Sequence, residues 1–335
     1  MAPVEETRTA RVAAIDCGTN SLRLLVADVS FDASGAPRSL ADVVRTMEVV
    51  RLGQGVDSTG EFAAEALERT LAETARVRDL LVEHGVPRDA DHVRFVATSA
   101  SRDARNAHLL VDGVRQLLGV APEVITGAEE ASLSFLGATG ELTGAGVAGP
   151  HLVCDLGGGS TELVLGERDV QAARSVDVGC VRLHERHALS DPPTPAQVEA
   201  LVADVHSALG VAAAAVPLEE ARSLVGVAGT VTTVTAHALG LPTYDSARIH
   251  GSVLPVADVV AACDDLVAMP REQRAALPYM HPGRVDVIGA GALVWREVVR
   301  RVAACAGVAE VRTSEHDILD GTALALARRA AGAPA

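Results

Sequence analysis

The sequence contains no lysine, and all 29 of its basic residues are arginines. This absence excludes the lysine-containing P-loop of nucleotide-binding proteins, Schiff-base catalysis and any lysine general base. Aromatic residues are scarce as well, at 2% of the chain, and the formal net charge at pH 7 is −15. Such a charge argues against a broad nucleic-acid-binding surface, so an anionic ligand would need a local basic pocket or a bridging cation.

Cysteines and long apolar runs are also few. The five cysteines are scattered without CxxC or Cys/His spacing, which argues against a disulfide framework or a zinc site and favours a reducing cytoplasm. No run approaches the ~18 uncharged apolar residues of a membrane span. The N-terminal stretch MAPVEETRTAR has no apolar core of a secretory signal. We therefore predict a cytoplasmic protein that does not enter a membrane.

An internal repeat is the most informative feature that the sequence does have. The segments AIDCGTNSLRLLVAD and VCDLGGGSTELVLGE superimpose without gaps, pairing Asp16 with Asp155 and Ser21 with Ser160 at a constant offset. Each segment is an apolar run, a polar glycine-containing turn and a second apolar run, which is typical of a β-hairpin. With 335 residues of which 48% are hydrophobic, the chain can form two domains.

The remaining pattern alternates strands and helices in both halves, which predicts an α/β fold. The Gly-rich stretch 137–150 lacks periodicity and is interpreted as a loop or inter-domain connection. Thr194 or Pro195 is expected to open a helix. The predicted strands are 12–17, 22–29, 43–53, 92–98, 123–126, 151–156, 161–167, 174–180, 223–229 and 309–313, and the predicted helices are 61–84, 103–118, 127–137, 230–239 and one from about 316.

The two turns have the composition of phosphate-binding loops. Glycines let backbone N–H groups approach an anion, successive N–H groups form an anion-binding nest, and neighbouring hydroxyls add donors. The carboxylates beside the turns would repel a bare phosphate, so they indicate a hard cation, Mg²⁺ or Mn²⁺, between them. Two tight hairpins with capped turns are the alternative. The candidate phosphate-binding residues are Gly18, Thr19, Asn20, Ser21, Gly157, Gly158, Gly159, Ser160 and Thr161, and the candidate metal ligands are Asp155, Glu162 and Asp16.

Seven segments, in order over residues 12 to 321, carry a family resemblance. They are DCGTNS, ATSASRDARN, ITGAEEA, DLGGGSTE, VGCVRLHE, AGTVTT and HPGRVDVIGAG. With them the chain resembles the exopolyphosphatase/guanosine pentaphosphate phosphohydrolase (Ppx/GppA) family, in a short two-domain form. The resemblance implies two ribonuclease-H-like domains of the actin and sugar-kinase superfold flanking a cleft. We expect domains at 1–126 and 127–316, with a last helix at about 317–335 that packs back on the first domain.

The segment ITGAEEA contains two adjacent glutamates at a predicted helix start. Thr126 and Glu129 have the spacing of a capping box, in which hydroxyl and carboxylate satisfy free N–H groups. Glu129 thereby has a structural role, whereas Glu130 points about 100° away around the helix and has none. The resemblance implies that the second glutamate activates the attacking water, so both routes predict Glu130 as the catalytic base. A solvated acid in the first helical turn is the structural alternative.

Arginines are the remaining candidates for phosphate contacts. Arg102 follows the strand HVRFVATSA near a helix start, where a guanidinium and free N–H groups can converge on a phosphate, and the resemblance implies this contact. Arg105 and Asn106, one turn later, are further candidates, with a surface arginine as the alternative for Arg105. Gly229 and Thr230 in AGTVTT form either a second phosphate nest or a simple helix cap.

Two departures from the family pattern affect the substrate prediction. Family members often carry an arginine in a Gly-Leu-Arg-Glu-Gly stretch near the last helix, whereas this sequence has SEHDILDGTAL, without the arginine and with Asp320 before the glycine. A phosphate contact from that helix is therefore in doubt. Longer members continue into a C-terminal helical domain, which we do not expect here, so the segment that would bind long polymers is predicted to be absent.

Together these features predict an exopolyphosphatase that releases terminal orthophosphate from inorganic polyphosphate, short chains preferred, by metal-assisted attack of water. Three alternatives stay open: a guanosine pentaphosphate 5′-phosphohydrolase, a sugar or acid kinase of the same superfold, and a non-catalytic sensor of guanosine tetra- or pentaphosphate or polyphosphate. A homodimer is also left open, and neither nucleic acid nor a membrane is expected as a partner.

Overall fold

The computed structural model describes residues 9–32, 35, 37–140, 142 and 146–330. Residues 1–8 of the stretch considered for a secretory signal, residues 141 and 143–145 of the predicted loop, and residues 331–335 of the predicted last helix lie outside the described residues. The chain divides into two compact units. The first comprises Met1–Val56, Gly60–Thr126 and Ile318–Ala335, and the second comprises Asp57–Thr59 and Gly127–Asp317.

The first unit is built on a five-stranded sheet with the order β3-β2-β1-β4-β5. The first three strands form an antiparallel meander, and β4 and β5 continue the sheet in parallel to β1. Its elements are β1 (Thr9–Cys17), β2 (Leu22–Phe31), β3 (Pro37–Glu48), the start of α1 (Val56–Thr59), α2 (Ala64–Glu83), β4 (Val93–Ala97), α3 (Ser99–Asp103), α4 (His108–Leu118), β5 (Glu123–Val124) and α13 (Ile318–Ala330).

Both faces of this sheet are buried, which explains why β1 is apolar throughout its second half. Ala13 and Ile15 point to one face and pack with apolar residues of α2 and α4. Val12 and Ala14 point to the other face, where α13 covers them with Leu319, among other residues. The alternation follows from the two-residue period of a strand.

The second unit repeats the same strand order with one addition. Its six-stranded sheet has the order β10-β11-β9-β6-β7-β8, so β6–β9 and β11 correspond to β1–β5 and β10 is an extra antiparallel edge strand. Its elements are α5 (Gly127–Thr139), β6 (His151–Leu156), β7 (Thr161–Gly166), β8 (Val170–Val176), α6 (Cys180–Arg186), α7 (Pro195–Ala213), a 3₁₀ turn (Leu218–Glu220), β9 (Ser223–Val227), α8 (Ala228–Ala238), α9 (Ser246–Ile249), β10 (Val253–Pro255), α10 (Val256–Ala268), α11 (Arg271–Ala275), a 3₁₀ turn (Pro282–Arg284), α12 (Ile288–Ala306) and β11 (Glu310–Thr313).

Helix α5 covers one face of this second sheet as α13 covers the first. Phe135 of α5 packs against Val153 and Val164, while the opposite face is buried by a large cluster that includes α7, α10 and α12. Because α5 follows β5 but packs on the second sheet, Glu130 belongs to the same unit as β6 and β7. The predicted α/β fold with two ribonuclease-H-like domains is confirmed by the shared strand order and by structures of similar proteins.

The predicted strand 174–180 lies earlier in the structure, as β8 at Val170–Val176. Two other predicted elements differ from the structure for identifiable reasons. The predicted helix 103–118 is interrupted after α3, because Asn106 binds the backbone N–H and C=O of Phe62 through its amide group. The predicted strand 43–53 ends at Glu48, because the N–H groups of Arg51 and Gly53 donate to the first polar turn instead of to β2. The Thr194 start of α7 is confirmed, with a capping box formed by Thr194 and Gln197.

The sequence did not single out α12, although it carries the only tryptophan of the chain. Trp295 is fully buried and lies over β9 at Gly226, where a Cβ would be 2.6 Å from the indole ring. The glycine in SLVGVAG is therefore explained by the close approach of an aromatic ring.

Within the described part of the chain, no helix has both the length and the apolar content needed to cross a bilayer.

Gly226→Ala is expected to destabilise the protein by about 1–3 kcal/mol, because the added methyl group collides with Trp295 and Val231 in a close-packed core. Gly210→Ala is the matched control, since Gly210 lies exposed in α7 and no atom lies within 4 Å of its Cβ position. That substitution should stabilise by about 0.5–1 kcal/mol through backbone entropy and helix propensity. Urea unfolding of both variants measures the difference, and equal midpoints would contradict the packing.

Candidate functional site

The second hairpin places two acids directly opposite each other. Asp155 on β6 and Glu162 on β7 are register partners, so their side chains share one face of the sheet. Both are buried, with 6% and 1% of their surface exposed. Ser134 of α5 donates to Oδ2 of Asp155, and the Ser175 hydroxyl donates to Oε1 of Glu162 at 2.7 Å. Each carboxylate is therefore held in a fixed orientation.

Glu130 completes a group of three acids within the second unit. It lies in the first turn of α5 and is 8% exposed, whereas its neighbour Glu129 is exposed. The pKa of Glu162 lies well above its usual range, because burial raises it and the charges of Glu130 and Asp155 raise it further. Hydrogen bonds from the side chains of Ser175 and Ser160 lower this pKa only in part. The two neighbouring acids raise the proton affinity of Glu162, and a cation bound there would favour its charged form.

The donor chemistry of this group fits a hard divalent cation. Carboxylate oxygens are the ligands that Mg²⁺ and Mn²⁺ prefer, and Mg²⁺ is commonly held by one or two carboxylates with water and substrate phosphate completing its shell. Among the described residues, no set of three or more His, Cys, Asp or Glu side chains is arranged as a complete metal site. Asp155 and Glu162 could thus hold a metal only together with water or substrate oxygens.

The carbonyl groups of the glycine turn point toward the start of α6. Close approach to this turn requires glycine at position 179, since a Cβ there would lie 2.5 Å from the Gly158 carbonyl oxygen. The contacts are Cys180 N–H to Gly157 O (3.1 Å), Val181 N–H to Gly158 O (2.9 Å), Arg182 N–H to Gly158 O (3.0 Å) and Arg182 Nε–H to Gly159 O (2.6 Å).

This arrangement orients the N–H groups of the same turn. In a trans peptide the N–H points opposite to the preceding C=O. Because the carbonyls of Gly157, Gly158 and Gly159 face α6, the N–H groups of Gly158, Gly159 and Ser160 face away from it. Successive N–H groups of a turn that share a direction can bind an anion together, and we use the word nest for these three groups. The Thr161 hydroxyl donates to Val178 O at 2.6 Å, and the role of Thr161 in phosphate binding remains a prediction.

The first hairpin has the same turn hydrogen bond, but the residue that faces its aspartate has the opposite charge. Gly18 N–H donates to Ser21 O at 3.0 Å, as Gly157 N–H donates to Ser160 O at 3.0 Å. The register partner of Asp16, however, is Arg23, and Arg23 Nη2 lies 2.6 Å from Asp16 Oδ2. Asp16 is therefore neutralised by an arginine at the position where Asp155 faces a glutamate. It also belongs to the first unit, so no unit contains all three predicted metal ligands.

The remaining residues of the first turn are anchored by the segment after β3. Arg51 N–H donates to Asn20 O and Gly53 N–H donates to Thr19 O, each at 2.8 Å. By the same peptide geometry, the N–H groups of Asn20 and Ser21 point away from this anchor. The first turn therefore presents two oriented donors, in line with its predicted role as a phosphate loop.

The arginines near α3 have different positions. Arg102 is half-buried in α3, and its Nη1 donates to Ile125 O at 3.1 Å, two residues before α5 begins. Arg105 is exposed and pairs with Glu61 at 3.1 Å, and Asn106 binds the Phe62 backbone. Both therefore have structural partners, and the suggested role of Arg105 and Asn106 in phosphate binding finds no support from these contacts.

Two arginines that were not singled out in the sequence contact glycine-containing turns of the second unit, Arg182 at the second hairpin and Arg284 at Gly229. Arg182 donates to Gly159 O, and Arg284 lies so close to Gly229 that a Cβ there would be 2.2 Å from the guanidinium carbon. Arg284 also acts on Cys180, whose thiol pKa is raised by burial and lowered by this charge among other contacts. The only sequence signal for them was their place in the motifs VGCVRLHE and HPGRVDVIGAG.

The departure in SEHDILDGTAL has a structural explanation. Asp320 is 2% exposed, and its carboxylate pairs with Arg45 of β3 at 2.5 Å. Burial alone would lower the pKa of Arg45, but the hydrogen bonds that Arg45 donates to Asp320 and Asp42 raise this pKa above its usual range. Asp320 of α13 thus forms a salt bridge within the first unit.

Comparison with known proteins gives three informative matches beyond a family model. The model of the Ppx/GppA phosphatase family matches residues 31–325. Exopolyphosphatase 2 of Mycobacterium tuberculosis is 53% identical over 322 residues, covering 95% of this chain and 98% of that protein. The crystal structure of an exopolyphosphatase-like protein is 44% identical with a TM-score of 0.89, covering 96% of this chain and 99% of the other. Guanosine-5′-triphosphate,3′-diphosphate pyrophosphatase of Vibrio vulnificus is 35% identical over 170 residues, covering 50% of this chain and 32% of that protein.

Proposed function

Because the chain belongs to the Ppx/GppA phosphatase family, we propose that it is an exopolyphosphatase that releases terminal orthophosphate from inorganic polyphosphate. The observation that carries this proposal is the buried pair of Asp155 and Glu162 beside an N–H nest, with Glu130 in the same unit. A nest binds phosphate oxygens, and the acids supply a base and cation ligands. The 53% identity to a protein named exopolyphosphatase over nearly the whole chain supports the same substrate.

In the proposed reaction Glu130 accepts a proton from a water molecule. The water oxygen forms a bond to the terminal phosphorus, and the bond from that phosphorus to the bridging oxygen breaks. The bridging oxygen leaves with the shortened chain, and the released group is orthophosphate. Such phosphoryl transfer depends on positioning and on stabilisation of charge on the phosphate oxygens. The nest N–H groups provide donors for this stabilisation, and for Arg102 a phosphate contact is proposed from the family resemblance alone.

Phosphatases of this family depend on a metal ion in general. We propose that the ion here is Mg²⁺ or Mn²⁺ and that Asp155 and Glu162 hold it. When bound, it would neutralise part of the charge on the phosphate oxygens. Asp16 is the weaker candidate because Arg23 already compensates its charge. The domain limits 1–126 and 127–316, with the last helix added to the first domain, remain part of this proposal, as does a cytoplasmic location, which the five free thiols favour.

The main alternative is hydrolysis of guanosine pentaphosphate at its 5′ end. It is supported by the match to a guanosine-5′-triphosphate,3′-diphosphate pyrophosphatase, but this match covers half of the chain and a third of that protein. The deciding experiment is a phosphate-release assay with tripolyphosphate, long-chain polyphosphate and guanosine pentaphosphate, each with and without Mg²⁺ or Mn²⁺. Failure to release phosphate from either polyphosphate would contradict the proposed function.

Within that assay we expect a higher kcat/KM for tripolyphosphate than for long chains or the nucleotide. A long polyanion needs a row of positive contacts, but the net charge is −15 and no lysine is present. A guanine base would gain from an aromatic platform, yet aromatic residues make up 2% of the chain. The test compares kcat/KM values for the three substrates at one ionic strength. A kcat/KM about tenfold higher, or 1.4 kcal/mol, for long chains or the nucleotide would contradict the expectation.

A further inference from the structure

Arg182 links the glycine turn to a distant part of the sequence. Its side chain is 11% exposed, and Nε donates to Gly159 O at 2.6 Å while Nη1 donates to Asp57 Oδ1 at 2.6 Å. Asp57 lies in α1, in the three residues 57–59 that group with the second unit. Burial would raise the pKa of Asp57, but hydrogen bonds from Arg186 and Arg182 keep it below its usual value. The pair is therefore fully charged near neutral pH.

The contact to Gly159 determines the direction of one nest donor. The N–H of Ser160 shares a peptide plane with Gly159 O, so the hydrogen bond from Arg182 turns this N–H away from α6. The carbonyls of Gly157 and Gly158 are held by backbone N–H groups that any residue type supplies. Gly159 is different, because its carbonyl is held by a side chain. The third donor of the nest thus depends on the identity of residue 182.

We propose that Arg182 is a positioning residue that sets the phosphate-binding conformation of the glycine turn, and that Asp57 holds Arg182 in place. This inference rests on the proposed function and identifies what keeps the site in its binding geometry. A planar guanidinium can donate to Gly159 and Asp57 at once, in two fixed directions, whereas an ammonium group is a single point of charge. Arg182→Lys should therefore fail to restore the function of the arginine even though it keeps the charge.

The chain offers a matched control on the same helix. Arg186, one turn later, also binds Asp57, with Nη2 at 3.1 Å from Oδ1, and it lies 3.6 Å from Asp204. Among the described residues it binds these two acids and not the glycine turn. Arg186→Gln removes a positive charge and an ion pair to the same carboxylate but leaves the Gly159 hydrogen bond. A difference between the two variants therefore reports on the turn and not on charge or helix stability.

The kinetic test measures tripolyphosphate hydrolysis at saturating Mg²⁺. Arg182→Gln and Arg182→Lys should raise KM by about tenfold with kcat changed by less than about twofold, because a misoriented nest donor weakens binding of substrate and transition state alike. Asp57→Asn should give a smaller increase, because its amide oxygen still accepts one hydrogen bond. Arg186→Gln should keep the wild-type KM. Wild-type KM in Arg182→Gln, or equal increases in Arg182→Gln and Arg186→Gln, would overturn the proposal.

A second measurement does not require turnover. Calorimetry with tripolyphosphate should show a loss of affinity in Arg182→Gln, and amide hydrogen exchange of peptides covering residues 156–163 should become faster in Arg182→Gln but not in Arg186→Gln. If the wild type binds tripolyphosphate but does not hydrolyse it, the proposed function fails while these two readouts still test Arg182. Unchanged exchange in Arg182→Gln would refute the positioning role whether or not the protein is an enzyme.

Discussion

Replacing Glu130 with glutamine should lower kcat for polyphosphate by about a thousandfold, within the range that general-base catalysis contributes. An amide of the same size cannot accept a proton from water. Glu130 lies in the first turn of α5, close enough to Glu162 for its charge to act there, and it is shielded from bulk solvent. A buffer molecule in the solvent therefore cannot take over its role as the base. Tripolyphosphate binding should remain, because the nest and the arginines are unchanged.

Glu129 provides the control for this substitution, because it precedes Glu130 in the same turn but is exposed. Glu129→Gln should leave kcat unchanged and lower the free energy of unfolding by at most about 1 kcal/mol through the helix cap. Initial rates with saturating tripolyphosphate, together with calorimetric Kd values, separate the two effects. Full activity in Glu130→Gln would rule out Glu130 as the base, and loss of binding would show that it has another role.

Several parts of the fold followed from the sequence because they depend on local pattern. The hairpin repeat predicted β1, β2, β6 and β7, and the structure adds that both sheets share one strand order. The polar turns followed from glycine content and backbone geometry, and their role in phosphate binding remains a prediction. The role of Glu130 remains a prediction, but its exposure is now known: it is buried, whereas the structural alternative required a solvated acid.

Other features depend on residues far apart in the sequence and could not be read from it. The break between α3 and α4 depends on Asn106 binding Phe62, and the charge of Asp16 depends on Arg23 across the hairpin. The repeat did align Arg23 with Glu162, but a sequence alignment does not show which side chains face each other. The contact between Arg182 and Gly159 required knowledge of where α6 lies.

Asp155→Asn should abolish most activity without destabilising the protein. Asparagine has nearly the same size and can still accept the hydrogen bond from Ser134, so the fold should be retained. It also removes one of three acids whose charges act on one another, which lowers the pKa of Glu162 and relieves repulsion. We therefore expect a Tm equal to or above that of the wild type, as is common when a residue is retained for function at the expense of stability.

Activity should behave in the opposite way to stability. With one anionic ligand lost, kcat/KM at a fixed Mg²⁺ concentration should fall by about a hundredfold, and the Mg²⁺ concentration for half-maximal rate should rise. Rates measured across a Mg²⁺ or Mn²⁺ titration, beside thermal unfolding in EDTA, test both statements. An unchanged metal requirement in Asp155→Asn would remove this residue from the proposed metal site.

Asp16→Asn is the informative comparison, because Asp16 occupies the same place in the other hairpin and faces Arg23 instead of Glu162. Here the substitution leaves a half-buried guanidinium without its ionic partner, so stability should fall. The metal concentration for half-maximal rate should stay at the wild-type value. A shift of that concentration in Asp16→Asn comparable to the shift in Asp155→Asn would contradict this expectation.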